Sequence, residues 1–343
     1  VDALGQDAEL RVGATEEGAV GGEPAGTDER HGCGGGRQDQ DEFIAAGCDE
    51  DAGGGVDHEQ GAEHVQGEEG REDAGEHAQF TQNAELTGSI IESDKPIGLM
   101  AGQPCMRTPF GVAFCDHGEQ MVPPVKALGS EYVGVAHRPR QNEPAIWRMI
   151  GAIDGTELTW SDNVGGPATL DAGEIVEFNS PNPFVVSSQD EDHPFLLFTH
   201  MSGSTWQPGL SGYGDVDFVI SVPPQQYMYK YVFFADPTYP ETNLVVVRAR
   251  EDGQFQDVEL DCAGVIDGWQ PIGDYEWTRV DLITGNFENV GECSTGRHEM
   301  SSDGPFGLWV WGWGTPETQT FTSNVSYGYP AGMFIRPIND VVI

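Results

Sequence analysis

Asp116, His117 and Glu119 stand close together in the segment CDHGEQ, and their side chains could transfer protons or collect a metal ion. A carboxylate beside an imidazole is a common acid/base pair. Neighbouring residues of a strand, however, point to opposite faces of the sheet, so Asp116 and His117 would diverge. We therefore expect these residues to have a structural role in the turn and junction where they lie, and we expect no bound metal or other cofactor.

Acidic loops at residues 190–192 and 154–155 are a second source of possible chemistry. Their carboxylates could supply oxygen ligands to calcium, which is the alternative to the absence of a cofactor. The chain contains neither an EF-hand pattern nor a glycine-rich calcium repeat. We prefer to interpret these segments as solvated loops.

Motifs of catalysis are missing from the sequence. It has no H-E-x-x-H pair, no nucleophile elbow and no phosphate-binding glycine loop after a strand. The sequence therefore predicts a protein that is not an enzyme. The alternative is a carbohydrate-active or other hydrolase, with a site between β-modules that uses carboxylate pairs such as Asp190/Glu191 or Asp116/Glu119.

Three tryptophans alternate in the segment GLWVWGWG, so Trp309, Trp311 and Trp313 share one face of a predicted strand. When the repeats described below are aligned, Trp309 meets apolar residues and is expected in a core. Trp311 and Trp313 meet His200 and Ser202, so these two large aromatic residues occur in one copy alone. They indicate an interface between units, which we prefer, or an exposed patch that recognises a protein or a glycan.

His200 lies in the segment FLLFTH, which has the composition of a strand. We expect its imidazole at the surface of that strand rather than in a metal site. Together with Trp311 and Trp313 it forms the predicted set of binding residues.

Four cysteines lie in the part of the chain that is expected to fold, and their spacing matches no zinc or redox motif. Two local disulfides in an oxidising compartment are the simplest interpretation, with Cys105 joined to Cys115 and Cys262 joined to Cys293. Reduced, buried thiols are the alternative. The disulfides favour a protein that is extracellular or displayed at the cell surface.

Composition limits the kinds of partner. The formal net charge of the 343-residue chain is -41, which argues strongly against a grip on nucleic acid phosphates or on an anionic membrane. No apolar run is long enough for a membrane-spanning helix. A protein or a glycan remains as the expected partner.

The chain repeats itself when it is shifted by 98 positions, so that AGEHAQF from Ala74 meets AGEIVEF from Ala172. A looser third copy contains SSDGPFGLWVW, and the junctions MVPP, SVPP and FIRP recur with it. Between them are short segments rich in β-branched and aromatic residues, roughly seven in one hundred residues. The sequence therefore predicts an all-β protein of tandem β-sandwich-like modules of about 100 residues, with a β-propeller as the alternative.

The Pro-Pro junctions set the expected boundaries. Residues 74–121 form the back half of a β-module with an exposed sheet edge, residues 122–221 form a β-module, and residues 222–343 form a β-module with the Trp-rich strand. Residues 1–73 are rich in Gly, Asp, Glu and Ala and have few aliphatic side chains. We expect this segment to be disordered and acidic, either as a solvated tail or as a translation outside the native reading frame.

The segment from SDKPIGLMAG to MVPP carries a family resemblance, with Cys105 following the first strand, then Cys115-Asp116-His117, and then the Pro-Pro junction at residues 123–124. It resembles the N-terminal domain of the IgGFc-binding protein family, in its bacterial type. The segment YVFFADPTYPETNLVVVRA is similar to the strands that follow the junction in that family. The resemblance covers most of residues 74–343 and implies a non-catalytic extracellular recognition or adhesion module, with immunoglobulin Fc as the ligand class.

Overall fold

The computed structural model describes residues 8–14, 77–82, 85–143, 145–317 and 322–341. In this part of the chain the secondary structure is almost entirely β, with two short 3-10 helices at Val125–Ala127 and Pro224–Gln226. No helix among the described residues has the length and apolar character needed to cross a membrane. The all-β fold expected from the short strand-like segments is therefore confirmed.

The strands β1 to β12 form the N-terminal and middle parts. The N-terminal sheet has the strands β1 (Ala8–Ala14), β2 (His77–Gln82), β3 (Ile97–Met106) and β4 (Asp116–Met121). The middle part has β5 (Glu131–Gly134), β6 (Ile146–Gly151), β7 (Thr156–Trp160), β8 (Thr169–Leu170), β9 (Ile175–Asn179), β10 (Phe184–Ser188), β11 (Phe195–Met201) and β12 (Asp217–Ile220).

The C-terminal part contains one large sheet and a small hairpin. Its strands are β13 (Met228–Ala235), β14 (Glu241–Arg248), β15 (Arg250–Glu251), β16 (Gln254–Phe255), β17 (Val258–Leu260), β18 (Gly264–Val265), β19 (Gln270–Ile272), β20 (Tyr275–Thr284), β21 (Glu288–Asn289), β22 (Gly296–Trp313) and β23 (Ser326–Pro330). All described pairings are antiparallel, and β15 with β16 forms the hairpin.

The middle part is a sandwich of two four-stranded sheets, ordered β5-β10-β7-β8 and β12-β11-β6-β9. Alternate residues of each sheet point inward and share one core, in which Trp147, Phe184, Val186 and Leu197 are fully or almost fully buried. We call β5 to β12 the central sandwich. The face-to-face packing of two sheets on a common core is that of a sandwich rather than of propeller blades.

One four-stranded order occurs three times along the chain. It reads β2-β1-β3-β4 in the N-terminal sheet, β9-β6-β11-β12 in the central sandwich, and β20-β14-β22-β23 in the C-terminal sheet. A backbone hydrogen bond of the same kind closes each copy after its last strand. The donor and acceptor pairs are Val122 with Leu99 at 2.9 Å, Ser221 with Leu197 at 2.8 Å, and Ala331 with Leu308 at 2.8 Å.

The second layer of the central sandwich also has a counterpart. In the C-terminal sheet the order β13-β22-β17-β18 corresponds to β5-β10-β7-β8. Nine positions separate Val186 from Phe195, which are on β10 and β11, but only six separate Met300 from Phe306. Because the connection is shorter, β22 runs as one strand through both layers and joins them into a single nine-stranded sheet.

Strand β1 lies within the N-terminal segment. Within residues 1–73, which were expected to be disordered, the structure describes Ala8–Ala14 as a strand between β2 and β3, in the place that β6 takes in the central sandwich. The sequence AELRVGA alternates Ala, Leu, Val and Ala with Glu, Arg and Gly, which suits a strand with one apolar face. The rest of that segment lies outside the described residues, and in the described part no second layer accompanies β1 to β4. The module boundaries at residues 121 and 221 stay a prediction.

Candidate functional site

The tryptophans of β22 lie at an internal interface. Trp311 is 0 % exposed and Trp313 is 2 % exposed, and both pack in one cluster with Val133, Val185 and Val219 of the central sandwich. The alternating residues of β22 thus bring this face of the C-terminal sheet against the central sandwich. An exposed recognition patch at Trp311 and Trp313 does not fit this burial, because no partner could reach the indoles.

A buried charged cluster, which no local sequence pattern predicted, lies beside these tryptophans. Arg140 donates two hydrogen bonds to the Glu143 carboxylate, at 2.7 and 2.5 Å, and a third to the carbonyl of Ser202 at 2.6 Å. Burial alone would raise the pKa of Glu143, but Arg140 and His137 hold it well below its usual range. The segment HRPRQNEP shows these charges but gives no local sign that they are buried. Arg140 and Glu143 pair with each other and with residues 202, 213 and 215, so the cluster fastens the loop at residues 137–143 to the rest of the central sandwich.

His200 is buried rather than at the strand surface. It is 3 % exposed and stacks on Phe218, with 5.5 Å between ring centroids. Burial, followed by the positive charge of Arg148, lowers the pKa of His200 well below its usual value, so the imidazole is neutral. Neither ring nitrogen meets a hydrogen-bond partner among the described residues. His200 lines a cavity between β11 and the N-terminal sheet.

Asp116, His117 and Glu119 lie on β4, and the strand separates Asp116 from the other two as expected. The Nε2 atom of His117 is 3.5 Å from a carboxylate oxygen of Glu119, and both side chains are about half exposed. Burial, with a smaller contribution from Asp215, raises the pKa of Asp116 to about 6. These side chains do not converge on a metal position.

Asp217, close to Asp116, is a second carboxyl group with a raised pKa. Burial raises the pKa of Asp217 to about 7, although the backbone N–H groups of Phe218 and Gly328 donate to it. Raised carboxyl pKa values are what a hydrolase would need. Neither carboxyl group, however, lines a described groove.

Asp190, Glu191 and Asp154 belong to turns. Asp190 accepts from His193 at 2.6 Å and from the N–H of Asp192, and Asp154 accepts from the N–H of Ala172 at 3.0 Å. Asp190 thus satisfies its own loop, whereas Asp154 links its turn to the turn at residues 171–174.

Among the described residues, one group of three has the spacing of metal ligands: Asp261, Cys262 and His298. Cys262 forms a disulfide, so it has no thiolate to offer. Both ring nitrogens of His298 are already used, one with Asp261 at 2.9 Å and one with the carbonyl of Ser294 at 2.8 Å. This group therefore supports the fold around the disulfide rather than a metal.

Both expected disulfides are present, and the Cys105–Cys115 bridge closes a loop with two exposed aromatic residues. We call residues 105–115 the Phe loop. Phe110 is 62 % exposed and Phe114 is 61 % exposed, the two largest exposed fractions among the described phenylalanines. In the sequence this segment looks like a turn, and its phenylalanines were not predicted to bind, although Pro-Phe-Gly between two cysteines was the available sign.

The Phe loop is fixed to the central sandwich on its other side. Val112 is buried against Gly203, where an added Cβ would come within 2.8 Å of the Val112 side chain. The N–H of Gly203 donates to the carbonyl of Thr108 at 2.6 Å, and the N–H of Ala113 donates to the hydroxyl of Thr205 at 3.1 Å. The loop thus holds its backbone in place while it presents two aromatic side chains to solvent.

Comparison with known proteins gives a family for the chain. The family model described as IgGFc binding protein matches residues 71–312, which is more than half of the chain and includes the Phe loop, the central sandwich and the Trp-rich strand. No curated protein and no solved structure matches the chain. The resemblance found in the sequence is therefore confirmed, and the chain belongs to the IgGFc-binding protein family.

Proposed function

We propose that this chain is a non-catalytic extracellular recognition module that binds a protein partner through the Phe loop. The observation that carries the proposal is the combination of two strongly exposed phenylalanines with a backbone that is held by a disulfide and by anchoring contacts to residues 203–205. Membership of a family of binding proteins supports a binding role in general.

The geometry of the Phe loop suits protein recognition for energetic reasons. Large aromatic side chains dominate the binding energy of protein interfaces when they enter a pocket of the partner. A loop whose backbone is already ordered loses little conformational freedom on binding, so more of the contact energy appears as affinity. Phe110 and Phe114 are large aromatic side chains that a partner can reach, and the bridge with the Val112 anchor keeps the backbone ordered.

The location of the protein is inferred from its covalent chemistry. The pairs Cys105–Cys115 and Cys262–Cys293 would be reduced in most cytosolic environments but persist in secreted and surface proteins. We therefore infer an extracellular or cell-surface location.

We also infer that residues 74–121, 122–221 and 222–343 are successive copies of one module. The recurrence of a single strand order, with equivalent hydrogen bonds at Leu99, Leu197 and Leu308, supports this. In the first copy, β1 from the N-terminal segment is the second strand of the order β2-β1-β3-β4.

The Fc region of immunoglobulin G is the partner to test, because the family takes its description from that ligand. The full chain would be immobilised and titrated with purified Fc, with Fab fragments and serum albumin as matched non-ligands. Saturable binding of Fc alone is expected, with a Kd below about 10 μM, the range of specific transient complexes. Equal responses to Fc, Fab and albumin, or none to any of them, would contradict the proposal.

A further inference from the structure

A cavity of about 240 Å³ lies between the N-terminal sheet and the central sandwich. Its walls are mainly apolar, with Leu99 and Met106 on one side and Ile150, Leu196, Phe198 and Phe218 on the other. Residues 85–91, which we call the strap, also line it. Neither exposed phenylalanine of the Phe loop lines the cavity, although Met106 of the same loop does.

The strap is held at two points. Glu85 lies 3.6 Å from a guanidinium nitrogen of Arg148, and the tip of the strap packs tightly at Gly88. Gly88 has a φ of +85°, and an added Cβ would lie 2.8 Å from the carbonyl oxygen of Gly173. Only glycine fits both the backbone conformation and the contact. The strap is therefore fixed to the central sandwich.

The equivalent interface between the central sandwich and the C-terminal sheet has apolar side chains at the matching positions. Between the central sandwich and the C-terminal sheet, Trp311 is fully buried in one cluster with Met201 and Val219. The repeat and the strand register place His200, Gln103 and Gln120 at the corresponding positions of the cavity. One interface thus has three large apolar side chains where the other has an imidazole, two amides and open space.

The polar groups of the cavity favour an uncharged ligand. His200 is neutral, its two ring nitrogens have no partner among the described residues, and a neutral imidazole offers one donor and one acceptor. A buried polar group without a partner is costly in an apolar setting, so it calls for a reason. Arg148 at the rim is already paired with Glu177 at 2.7 Å and with Glu85, so it has little charge to offer an anion.

We propose that this cavity binds a small, uncharged, largely aromatic molecule that carries one hydroxyl group, with His200 as the hydrogen-bond partner of that hydroxyl. An engineered cavity of about 150 Å³ holds benzene, so a cavity somewhat larger suits a bicyclic compound of about ten non-hydrogen atoms. The apolar walls bind the rings, and His200 selects the hydroxyl.

The test uses 2-naphthol and naphthalene as a matched pair of probes, titrated into the full chain at pH 7 by fluorescence. Wild-type protein is expected to bind 2-naphthol about tenfold more tightly than naphthalene, the effect of one buried hydrogen bond. His200→Leu keeps the size of the side chain roughly constant and should bind both probes with equal affinity. This variant is expected to fold, because it replaces an unpaired buried polar group by an apolar one.

A second variant tests the location from the opposite wall. Ala101 lines the cavity from β3, and Ala101→Leu should occupy its space and abolish binding of both probes. Far-UV circular dichroism and the Tm verify that each variant is folded. No saturable binding to the wild type, binding that survives in Ala101→Leu, or an unchanged preference for 2-naphthol in His200→Leu would each overturn the proposal.

Discussion

The hydroxyl of Tyr132 donates a hydrogen bond of 2.8 Å to the backbone carbonyl of Phe195, and the two rings lie 4.9 Å apart. Tyr231 and Phe306 repeat this relationship in the C-terminal sheet, with a hydrogen bond of 2.5 Å and the same ring separation. In each case a tyrosine of an outer strand is hydrogen-bonded to the residue that follows the segment crossing between the layers. The repeated strand order is thus accompanied by the same stabilising contact in the central sandwich and in the C-terminal sheet.

Tyr132→Phe should lower the free energy of unfolding by about 1–3 kcal/mol, because it removes the hydroxyl that also accepts the N–H of Gly129 and leaves two buried backbone groups without it. Tyr231→Phe should have a similar effect. The measurement is urea denaturation followed by tryptophan fluorescence. Tyr229→Phe is the matched control, since its hydroxyl meets Glu251 at the surface, and its effect should stay within about 0.5 kcal/mol.

Trp311→Ala should destabilise the protein by about 3–5 kcal/mol, because it leaves a cavity at the interface between the central sandwich and the C-terminal sheet. Phe114→Ala, which truncates an exposed ring, should change stability by less than about 0.5 kcal/mol. Thermal and urea unfolding measure both. If Trp311→Ala kept the wild-type stability but lost partner binding, the exposed-patch interpretation of this residue would be restored.

Asp217 should make the protein less stable as the pH rises from about 4 to about 7. Its pKa is raised from an ordinary 3.8 to about 7 by burial, so in this window the folded chain keeps a proton that the unfolded chain has lost, and folding is opposed. Burial lowers the pKa of His137, which acts in the opposite direction below about pH 6.5, so a difference measurement is needed.

The difference is obtained by unfolding wild type and Asp217→Asn in urea between pH 4 and pH 8. Relative to the wild type, the variant should gain stability steadily as the pH rises, by an amount on the order of a few kcal/mol. Parallel curves for the two proteins would show that Asp217 titrates normally in the folded state.

Removal of either disulfide should lower stability, but removal of only one of them should weaken binding. Replacing Cys262 and Cys293 by Ser opens a loop of 31 residues and should cost about 4 kcal/mol, while the Cys105/Cys115 double replacement opens one of ten residues and should cost about 3 kcal/mol in the chain-entropy picture. Only the second should weaken binding of the partner, because only that bridge orders the Phe loop. Equal losses of affinity in both folded variants would argue against the loop as the contact.

Local pattern predicted the strands but not what covers them. The composition of FLLFTH indicated β11, yet His200 was expected at its surface, because the N-terminal sheet that covers it is brought there by tertiary packing. Asp303 and Pro305 lie within β22, at the irregularity between the pairing of Ser301 and that of Phe306 with β13, and the local sequence does not indicate that the strand continues there. Strand β1 was missed because its alternation is short and lies in an acidic, glycine-rich segment.

The alternating tryptophans also show that a local pattern predicts a strand but not what covers it. The period of two correctly placed Trp311 and Trp313 on one face of a strand, but a period cannot say whether that face meets solvent or another sheet. The Phe loop was overlooked for the converse reason. Exposure of Phe110 and Phe114 depends on the anchoring of Val112 at Gly203, a contact between residues 91 positions apart.

The central claim, that the Phe loop is the contact with a protein partner, is tested most directly by the Kd for Fc of the Phe110→Ala/Phe114→Ala double variant. Val232→Ala/Phe234→Ala is the matched control, since it removes two exposed apolar side chains, 52 % and 51 % exposed, from β13. We expect the loop variant to lose affinity by about 100-fold or more at unchanged Tm, and the control to bind like the wild type. A loop variant that binds Fc as tightly as the wild type would contradict the account.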